Sequence, residues 1–475
     1  MSKWFWRTIF GLAVLYLIIS GVSRHIHVKR LTHDLKYGNN SVQVKAARDL
    51  MVHNRLYDKV QEMPKAQRIK MMDVIEQVTG ELGIKHCLEL LKDKELTVRA
   101  RVTKSLILLG KNHIKLFVPE MKNPDANVSA GAKDALVGIG PIVIPYVHPV
   151  VKEPDLRGPA LDVLTRLKEP SVPVLVELLV KGDQDVRMGA ADSLGKVGSK
   201  KATPALLKAT RDIKAVRRIA ISSLCTICDP RSEDLLVEVL SQNKDDGEIR
   251  ARAARALSVI GGPRSISTLT GALGDWDLKV RTSVISGLQR IGPSAVKLVM
   301  AAMKNSGSQD VRRAGAAVLE RIDCPESASA LRGLTRDSDP TIRASAARGL
   351  GAQTSGGGAD LLISMLYDKD GRVASTAEDA LVSMGSRSVP ALTAVLRSSS
   401  SDVVKYQASD ALARIGSPAA PSLVAMLGTG GASSKWAAYA LGRSHDPKGK
   451  QALERFSGAS DPELAWIVKR GLNRL

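Results

Sequence analysis

The sequence contains few cysteines and few aromatic residues for its length. Its 475 residues include four cysteines, too few for a disulfide framework in a chain of this size. Cys225 and Cys228 form a C-x-x-C pair, but no second pair accompanies them to complete a zinc site. We therefore interpret Cys87, Cys225, Cys228 and Cys324 as structural thiols, with metal or redox chemistry at the C-x-x-C pair as the alternative. Aromatic residues make up 3% of the chain, which indicates many small aliphatic contacts rather than one large aromatic core.

The motifs of common enzyme classes are also missing. No phosphate-binding G-x-x-x-x-G-K-[ST], no dinucleotide-binding G-x-G-x-x-G, no G-x-S-x-G and no H-E-x-x-H occurs. None of the eight histidines is followed by a glutamate. We therefore predict a protein that is not an enzyme, with no catalytic residues, no bound metal, no cofactor and no small-molecule substrate.

The charge is strongly basic but dispersed. The net charge is +21 and the isoelectric point is about 9.8, which favours anionic partners such as nucleic acid, an acidic protein surface or lipid headgroups. Basic residues are mixed with acidic ones along the chain, and no block of like charge marks a tail. The charge alone therefore does not distinguish these partners.

An uncharged segment lies near the N-terminus. Residues 8–23 carry no charge and would span about 24 Å as a helix, slightly less than a hydrocarbon core of about 30 Å. Trp4 and Trp6 suit the headgroup region, and Arg7 and Arg24 can extend their charges to water. We interpret residues 1–30 as an uncleaved membrane anchor. A signal peptide cleaved after Ser23 and a buried helix are the alternatives.

The orientation of this anchor is open. Lys3 and Arg7 precede the segment, while Arg24, Lys29 and Arg30 follow it, so the distribution of positive charge does not decide. A short basic N-terminal tail usually stays in the cytoplasm. We therefore expect a single-pass protein of the bacterial inner membrane with the rest of the chain in the periplasm, and the cytoplasmic orientation remains the alternative.

A repeat of about thirty-one residues dominates the remainder. Its marker is a Val-Arg or Ile-Arg pair, as in "DVRMGAADSLGKV" from Asp185 and "DVRRAGAAVLERI" from Asp310. An apolar helical stretch precedes each marker helix, as in "SVPVLVELLVKGD" from Ser171, and a turn containing Asp or Ser joins the two. Asp or Ser can cap the second helix and Gly can end it, so each unit is predicted to be a pair of helices.

Two helices per unit, the pattern D-x-V-R-x-x-A-A-x-x-L and this period resemble bacterial HEAT-like repeats, and are similar to those of the phycobilisome lyase subunit family. The resemblance runs from about residue 39 to the end. It implies an all-α, armadillo-type fold: a right-handed superhelical α-solenoid of about thirteen or fourteen two-helix repeats. In the predicted chain this solenoid follows the transmembrane helix inferred from residues 8–23. We predict irregular cap repeats over residues 31–90 and the solenoid over 91–475. The proline-rich stretch from Gly140 predicts a broken first helix.

The position of each residue on the second helix separates structure from binding. Counting from the marker Val as zero, positions 0, 4, 8 and 11 are apolar and face the partner helix, whereas 2, 6 and 9, with 10 beside them, line the inner surface. The marker arginine at position 1 falls on the flank, near the Asp of the preceding turn, where it can join carboxylate and carbonyl groups. We predict a structural role for the following marker arginines: Arg187, Arg217, Arg250, Arg281, Arg312 and Arg343.

Other arginines lie on the inner surface and do not recur. Arg218 and Arg313 are at position 2, and Arg255 and Arg348 are at position 6, with no acid four residues later. The predicted partner-binding residues are these four and two at position 10: Arg218, Arg255, Arg313, Arg348, Arg290 and Arg321. A merely basic surface without a ligand is the alternative for this set.

These observations predict a membrane-anchored scaffold for protein–protein interaction. Its concave basic surface would dock another protein through an acidic surface or helix. One alternative is binding of nucleic acid or another polyanion, although the anchor and the scarcity of aromatic residues for stacking argue against it. The other is a HEAT-like lyase or chaperone that acts on a protein-bound pigment, for which the sequence shows no pocket.

Overall fold

The fold is all-helical wherever the chain is described. A computed structural model describes residues 27–52, 55–78, 80–242, 246–354 and 357–474, and every regular element in these ranges is a helix. This confirms the all-α prediction. The predicted transmembrane segment, residues 8–23, lies outside the described residues. The chain forms two compact units, residues 1–227 and 228–475.

The first unit contains short first helices and longer second helices. Residues 27–37 form α1. The α-helices that follow are α2 (Asn40–Val52), α3 (Leu56–Gln61), α4 (Lys65–Ile75), α5 (Glu81–Leu90), α6 (Leu96–Gly110), α7 (Phe117–Glu120), α8 (Ala126–Ile139), α9 (Ile144–Val147), α10 (Pro154–Arg166), α11 (Val172–Lys181), α12 (Gln184–Val197), α13 (Thr203–Ala209) and α14 (Lys214–Ile227). Short 3₁₀ helices lie at Ile114–Leu116, Pro141–Val143, Pro149–Lys152, Glu169–Ser171 and Lys200–Ala202.

The second unit continues the alternation of first and second helices. Its α-helices are α15 (Glu233–Ser241), α16 (Gly247–Ile260), α17 (Pro263–Gly271), α18 (Leu278–Ile291), α19 (Pro293–Asn305), α20 (Gln309–Leu319), α21 (Pro325–Leu334), α22 (Pro340–Ala352), α23 (Ala359–Met365), α24 (Gly371–Ser383), α25 (Val389–Ser398), α26 (Asp402–Ile415), α27 (Ala420–Leu427), α28 (Gly431–Leu441), α29 (Pro447–Arg455) and α30 (Pro462–Leu472). Short 3₁₀ helices lie at Pro230–Ser232 and Gly385–Arg387. Within each unit, from α3 onward, an odd-numbered first helix packs against the even-numbered second helix that follows it.

Some of the second helices, such as α12, begin and end as the sequence predicts. In α12, the side chain of Asp183 accepts a hydrogen bond from the backbone N–H of Val186 and so caps the helix. The helix ends at Gly198, whose φ of 74° is left-handed and therefore suits glycine. Ala190 and Leu194 are buried at positions 4 and 8, which confirms the predicted core face.

Alanine and glycine at the flank let neighbouring second helices pack closely. Each second helix contacts the next one in its unit, as α16 does α18 and α22 does α24. At Gly351 in α22, an added Cβ would lie 2.7 Å from the Cβ of Ala380 in α24. Small side chains here let the helices form a continuous row, and positions 2, 6 and 10 of successive second helices lie along its surface.

The proline-rich stretch breaks a first helix as predicted. Residues 141–152 form two 3₁₀ helices around the short α9 instead of one continuous helix. Within the described ranges, no single helix has both the length and the apolar character needed to cross a membrane. Helix α8 together with residues 141–152 would meet these criteria, but the chain bends by 113° between them.

Candidate partner-binding surface

Four of the six marker arginines join consecutive repeats through an aspartate. Arg343 donates two hydrogen bonds of 2.7 Å to the carboxylate of Asp368, which is 25 residues further on in the next turn. Arg187 holds Asp212 in the same way, at 2.8 and 3.1 Å. The same separation recurs in two further ion pairs, Arg250 with Asp275 and Arg312 with Asp337.

The same side chains also reach the turn that precedes them. One guanidinium nitrogen of Arg343 donates to the backbone carbonyls of Asp337 and Ser338, at 2.8 and 3.1 Å. Arg281 binds the carbonyls of Asp275 and Trp276. These contacts confirm the predicted structural role but correct its geometry: the carbonyls belong to the preceding turn, while the carboxylate belongs to the following one. One planar guanidinium therefore connects two successive turns.

Arg250 is the most deeply buried of these residues. Its side chain is fully buried beside Asp275, and its guanidinium lies 4.8 Å from the ring centre of Trp276. The indole itself is 68% exposed, so it covers the cation rather than filling the core. A charge in this position is tolerated because the carboxylate and the ring replace its water.

Two of the predicted binding residues already have acidic partners. Arg313 donates to Asp339 at 2.6 Å, and Arg348 binds both carboxylate oxygens of Glu320 at 2.8 and 3.0 Å. The lack of an acid four residues later therefore does not leave these two arginines without a carboxylate, and their predicted binding role stays a prediction. An acid four residues later would lie on the same helix, whereas both carboxylates come from a neighbouring repeat.

The contact with Arg313 helps to lower the pKa of the Asp339 carboxyl group. Burial would raise the pKa of its carboxyl group, but the backbone N–H of Thr341 and the side chains of Arg313 and Gln309 donate hydrogen bonds to it. These donors prevail and hold the pKa at about 2. Because Asp339 also caps α22, Arg313 supports the start of that helix.

Three predicted residues remain on the surface of the second unit without a strong carboxylate partner. Arg255 lies 3.9 Å from Glu248, and Arg290 donates to the hydroxyl of Ser258 at 3.3 Å. The exposed guanidinium of Arg321 makes no hydrogen bond or ion pair with any residue that the structure describes. We call Arg255, Arg290 and Arg321 the arginine surface. Arg218 belongs to the first unit, where it is exposed on α14.

Glu248 is shared among several cations. It accepts a hydrogen bond of 3.1 Å from Arg252 and lies 3.9 Å from both Arg255 and Lys279. One carboxylate thus faces three basic side chains on α16 and α18. The local charge stays positive, which favours an anionic ligand.

A second group of residues was missed by the sequence interpretation. On α26, α28 and α30, aromatic and arginine side chains replace the arginines of the earlier repeats. The rings of Tyr406 and Tyr439 lie 5.7 Å apart, and Arg443 lies over Tyr439 while it pairs with Asp410 at 2.7 Å. Tyr406 lies at position 2 after Val404, so the sequence was enough to place it on the inner surface. Tyr439 could not be placed in this way, because α28 lacks the Val-Arg marker.

The cysteines are placed as structural thiols. Cys87, Cys225 and Cys324 are buried, Cys228 is half-buried, and all four are reduced. Burial raises the pKa of the Cys87 thiol to about 12, so it is not a nucleophile at neutral pH. Within the described ranges, no group of three His, Cys, Asp or Glu side chains is arranged to hold a metal ion.

Comparison with known proteins identifies the repeats. A family model described as HEAT repeats matches residues 151–214, 212–289, 296–382 and 359–434, together more than half of the chain. The match is to HEAT repeats in general, so the likeness to phycobilisome lyase subunits stays a prediction. No curated protein shows a significant match.

Solved structures share the fold at low sequence identity. A crystal structure of Kap121p bound to Nup53p matches with a TM-score of 0.50 and 13% identity, over 94% of this chain and 56% of that one. A Kap95:Nup1 complex matches with a TM-score of 0.49 and 12% identity, over 95% of this chain and 72% of the other. The chain thus spans little more than half the length of Kap121p, and the likeness concerns the fold alone.

Proposed function

Because the chain belongs to the HEAT repeat family, we propose that it is a non-enzymatic scaffold that binds another protein on the arginine surface of its second unit. The partner presents an acidic surface or an acidic helix. Residues 8–23 anchor the scaffold in a membrane, with the repeats on the periplasmic side. HEAT repeats suit this role because their stacked second helices present one long surface.

The observation that carries this proposal is the division of the arginines into two classes. The marker arginines are held by carboxylates and backbone carbonyls within the repeats, as Arg343 is by Asp368. Arg290 is exposed on α18 and Arg321 is exposed in the turn after α20, each without a carboxylate partner in the part of the chain that the structure describes. Arg290 has only a hydroxyl partner, Ser258, and Arg321 has no polar partner among the described residues, so both charges are available to the carboxylates of a partner.

The chemistry of arginine favours a carboxylate-bearing partner. A guanidinium can bind a carboxylate through two parallel hydrogen bonds, and exposed cations accelerate encounter with an acidic surface. Several such contacts along a row of helices add specificity that one contact lacks. Because the charges are exposed, we expect binding to weaken as salt rises.

Charge reversal tests the proposal. The triple variant Arg255→Glu, Arg290→Glu and Arg321→Glu should lose its partner in affinity purification of the full-length protein from native membranes, while its circular dichroism spectrum stays unchanged. The matched control reverses Lys304, Arg332 and Arg397, which are exposed on first helices. Equal capture by both variants would refute docking at the arginine surface.

Extraction tests the membrane anchor. The full chain should remain in membranes after washing with alkaline carbonate, and a chain without residues 1–26 should be released. Release of the full chain by the wash would contradict the anchor. A reporter fused to the C-terminus distinguishes the periplasmic from the cytoplasmic orientation.

A further inference from the structure

A small pocket lies between the second helices α28 and α30. Its volume is about 50 Å³, and Tyr439 and Trp466 form two of its walls. The pocket exists because two glycines bring the helices together: a Cβ on Gly442 would lie 2.5 Å from the Cα of Gly471. A space of this size holds a group of a few heavy atoms.

The pocket carries positive charge at its mouth. Arg470 and Arg474 line it, and the guanidinium of Arg470 lies 5.1 Å from the ring centre of Trp466. Neither guanidinium has a carboxylate within ion-pair distance among the described residues, which end at Arg474. An anionic group entering the pocket would therefore meet two cations that no carboxylate of the described residues pairs with.

A wider groove also has Trp466 as one of its walls. Its volume is about 390 Å³, and Ala465, Trp466 and Leu472 give it apolar walls beside Lys469. Trp466 is 59% exposed, which is a large apolar area to leave in water. The indole is thus shared by a basic pocket and a mainly apolar groove, and a ligand crossing it would need an anion and an apolar group close together.

The surrounding charges disfavour a uniform polyanion. Asp461 and Glu463 lie at the start of α30, where both pair with Lys435, and Asp410 pairs with Arg443. These pairs neutralise Lys435 and Arg443 and leave Arg470 and Arg474, with Lys469 beside the groove, as the basic site. A nucleic acid chain that followed the helices would be repelled by the carboxylates of Asp410 and Glu463. A ligand with one carboxylate in the pocket would not meet these two residues.

We propose that Trp466, Arg470 and Arg474 form a binding site for an acidic peptide segment of another protein, one that carries an aromatic or large aliphatic side chain beside its carboxylate. The carboxylate lies in the pocket against the two guanidinium groups, and the apolar side chain lies in the groove against the indole. This site uses none of the residues of the arginine surface, so it goes beyond the proposed function and is tested separately.

Labelled peptides test the site directly. The probes are rhodamine-labelled peptides that repeat Glu-Phe-Ser, Gln-Phe-Ser or Glu-Ala-Ser, with binding to the full-length protein measured by fluorescence anisotropy. We expect Glu-Phe-Ser to bind, and loss of either the carboxylate or the phenyl ring to weaken binding about tenfold or more, which is about 1.4 kcal/mol. Equal binding of the Gln-Phe-Ser peptide, or no binding of Glu-Phe-Ser, would overturn the proposal.

Variants assign the binding to this site. Arg470→Gln with Arg474→Gln, and separately Trp466→Ala, should each weaken binding of Glu-Phe-Ser by about tenfold without changing the thermal midpoint. Lys450→Gln with Arg455→Gln on α29 is the matched control and should bind as the unaltered protein does. Stronger competition by oligothymidine or by phosphatidylserine vesicles than by unlabelled peptide would overturn the assignment to a peptide. Reversing the arginine surface should leave peptide binding intact, so the two proposals can fail independently.

Discussion

At the scale of the residue, the role of an arginine depends on which repeat supplies the carboxylate that it binds. Arg312 and Arg313 are adjacent, and both bind carboxylates of the same following turn, Asp337 and Asp339. The recurrence of Arg312 indicates its structural role from sequence alone. Arg313 does not recur; the structure shows that it also supports Asp339, and its predicted binding role stays a prediction.

Arg313→Gln should therefore destabilise the protein in a pH-dependent way. The pKa of Asp339 is about 2 in the folded chain against an ordinary value of 3.8, so its ionised form stabilises the fold above the ordinary value. That contribution is lost as the pH falls through the folded value. Removing the guanidinium raises the pKa of Asp339, so the variant should unfold at a lower urea concentration than the unaltered protein at pH 7.

The difference should shrink as the pH approaches 2, because Asp339 becomes protonated in both proteins. Urea unfolding followed by circular dichroism at several pH values provides the measurement. Arg321→Gln serves as the control, since Arg321 touches no carboxylate in the described ranges. A difference that stays constant with pH would mean that Arg313 acts through something other than Asp339.

At the scale of the element, the close approach of second helices depends on small residues at defined positions. Gly442 in the turn after α28 lies against Gly471 in α30, with no room for a Cβ between the backbones. Backbone atoms cannot rotate away as a side chain can. A substitution here must therefore separate the two helices.

Gly442→Ala should lower stability by about 1–3 kcal/mol, the usual cost of overpacking. Gly333→Ala in α21 should have the opposite sign, because an added Cβ there meets nothing within 4 Å. Alanine reduces the freedom of the unfolded chain and should raise stability by about 0.4–1 kcal/mol. Thermal unfolding of the two variants tests the pair, and a shift of the same sign in both would contradict this packing.

The sequence predicted the helices better than the contacts between them. The caps, the glycine ends and the buried face of α12 follow from local chemistry and period, and so does the broken helix at residues 141–152. The partners of Arg313 and Arg348 depend on the offset between consecutive repeats, which no single helix encodes. The pocket beside Trp466 escaped prediction because α28 lacks its marker and because two glycines create the space.

At the scale of the whole molecule, a net charge of +21 does not mean that every cation is available. Marker arginines such as Arg343 join consecutive repeats. We expect substitution of one of them to destabilise mainly the two repeats that it joins, as is usual for stacked repeats. The proposed arginine surface and the proposed site at Trp466 would use cations that the repeats hold weakly or leave without a carboxylate among the described residues. The central claim is this division between recurring arginines that stabilise and non-recurring exposed arginines that bind.

The most direct test is urea unfolding of Arg343→Gln beside Arg321→Gln. Arg343 is nearly buried with Asp368, and breaking such a pair costs about 3–5 kcal/mol because the remaining carboxylate is left uncompensated. Arg321 is exposed, and its substitution should change stability by less than about 0.5 kcal/mol. The account predicts a large fall in the unfolding midpoint for Arg343→Gln alone; equal midpoints for the two variants would contradict it.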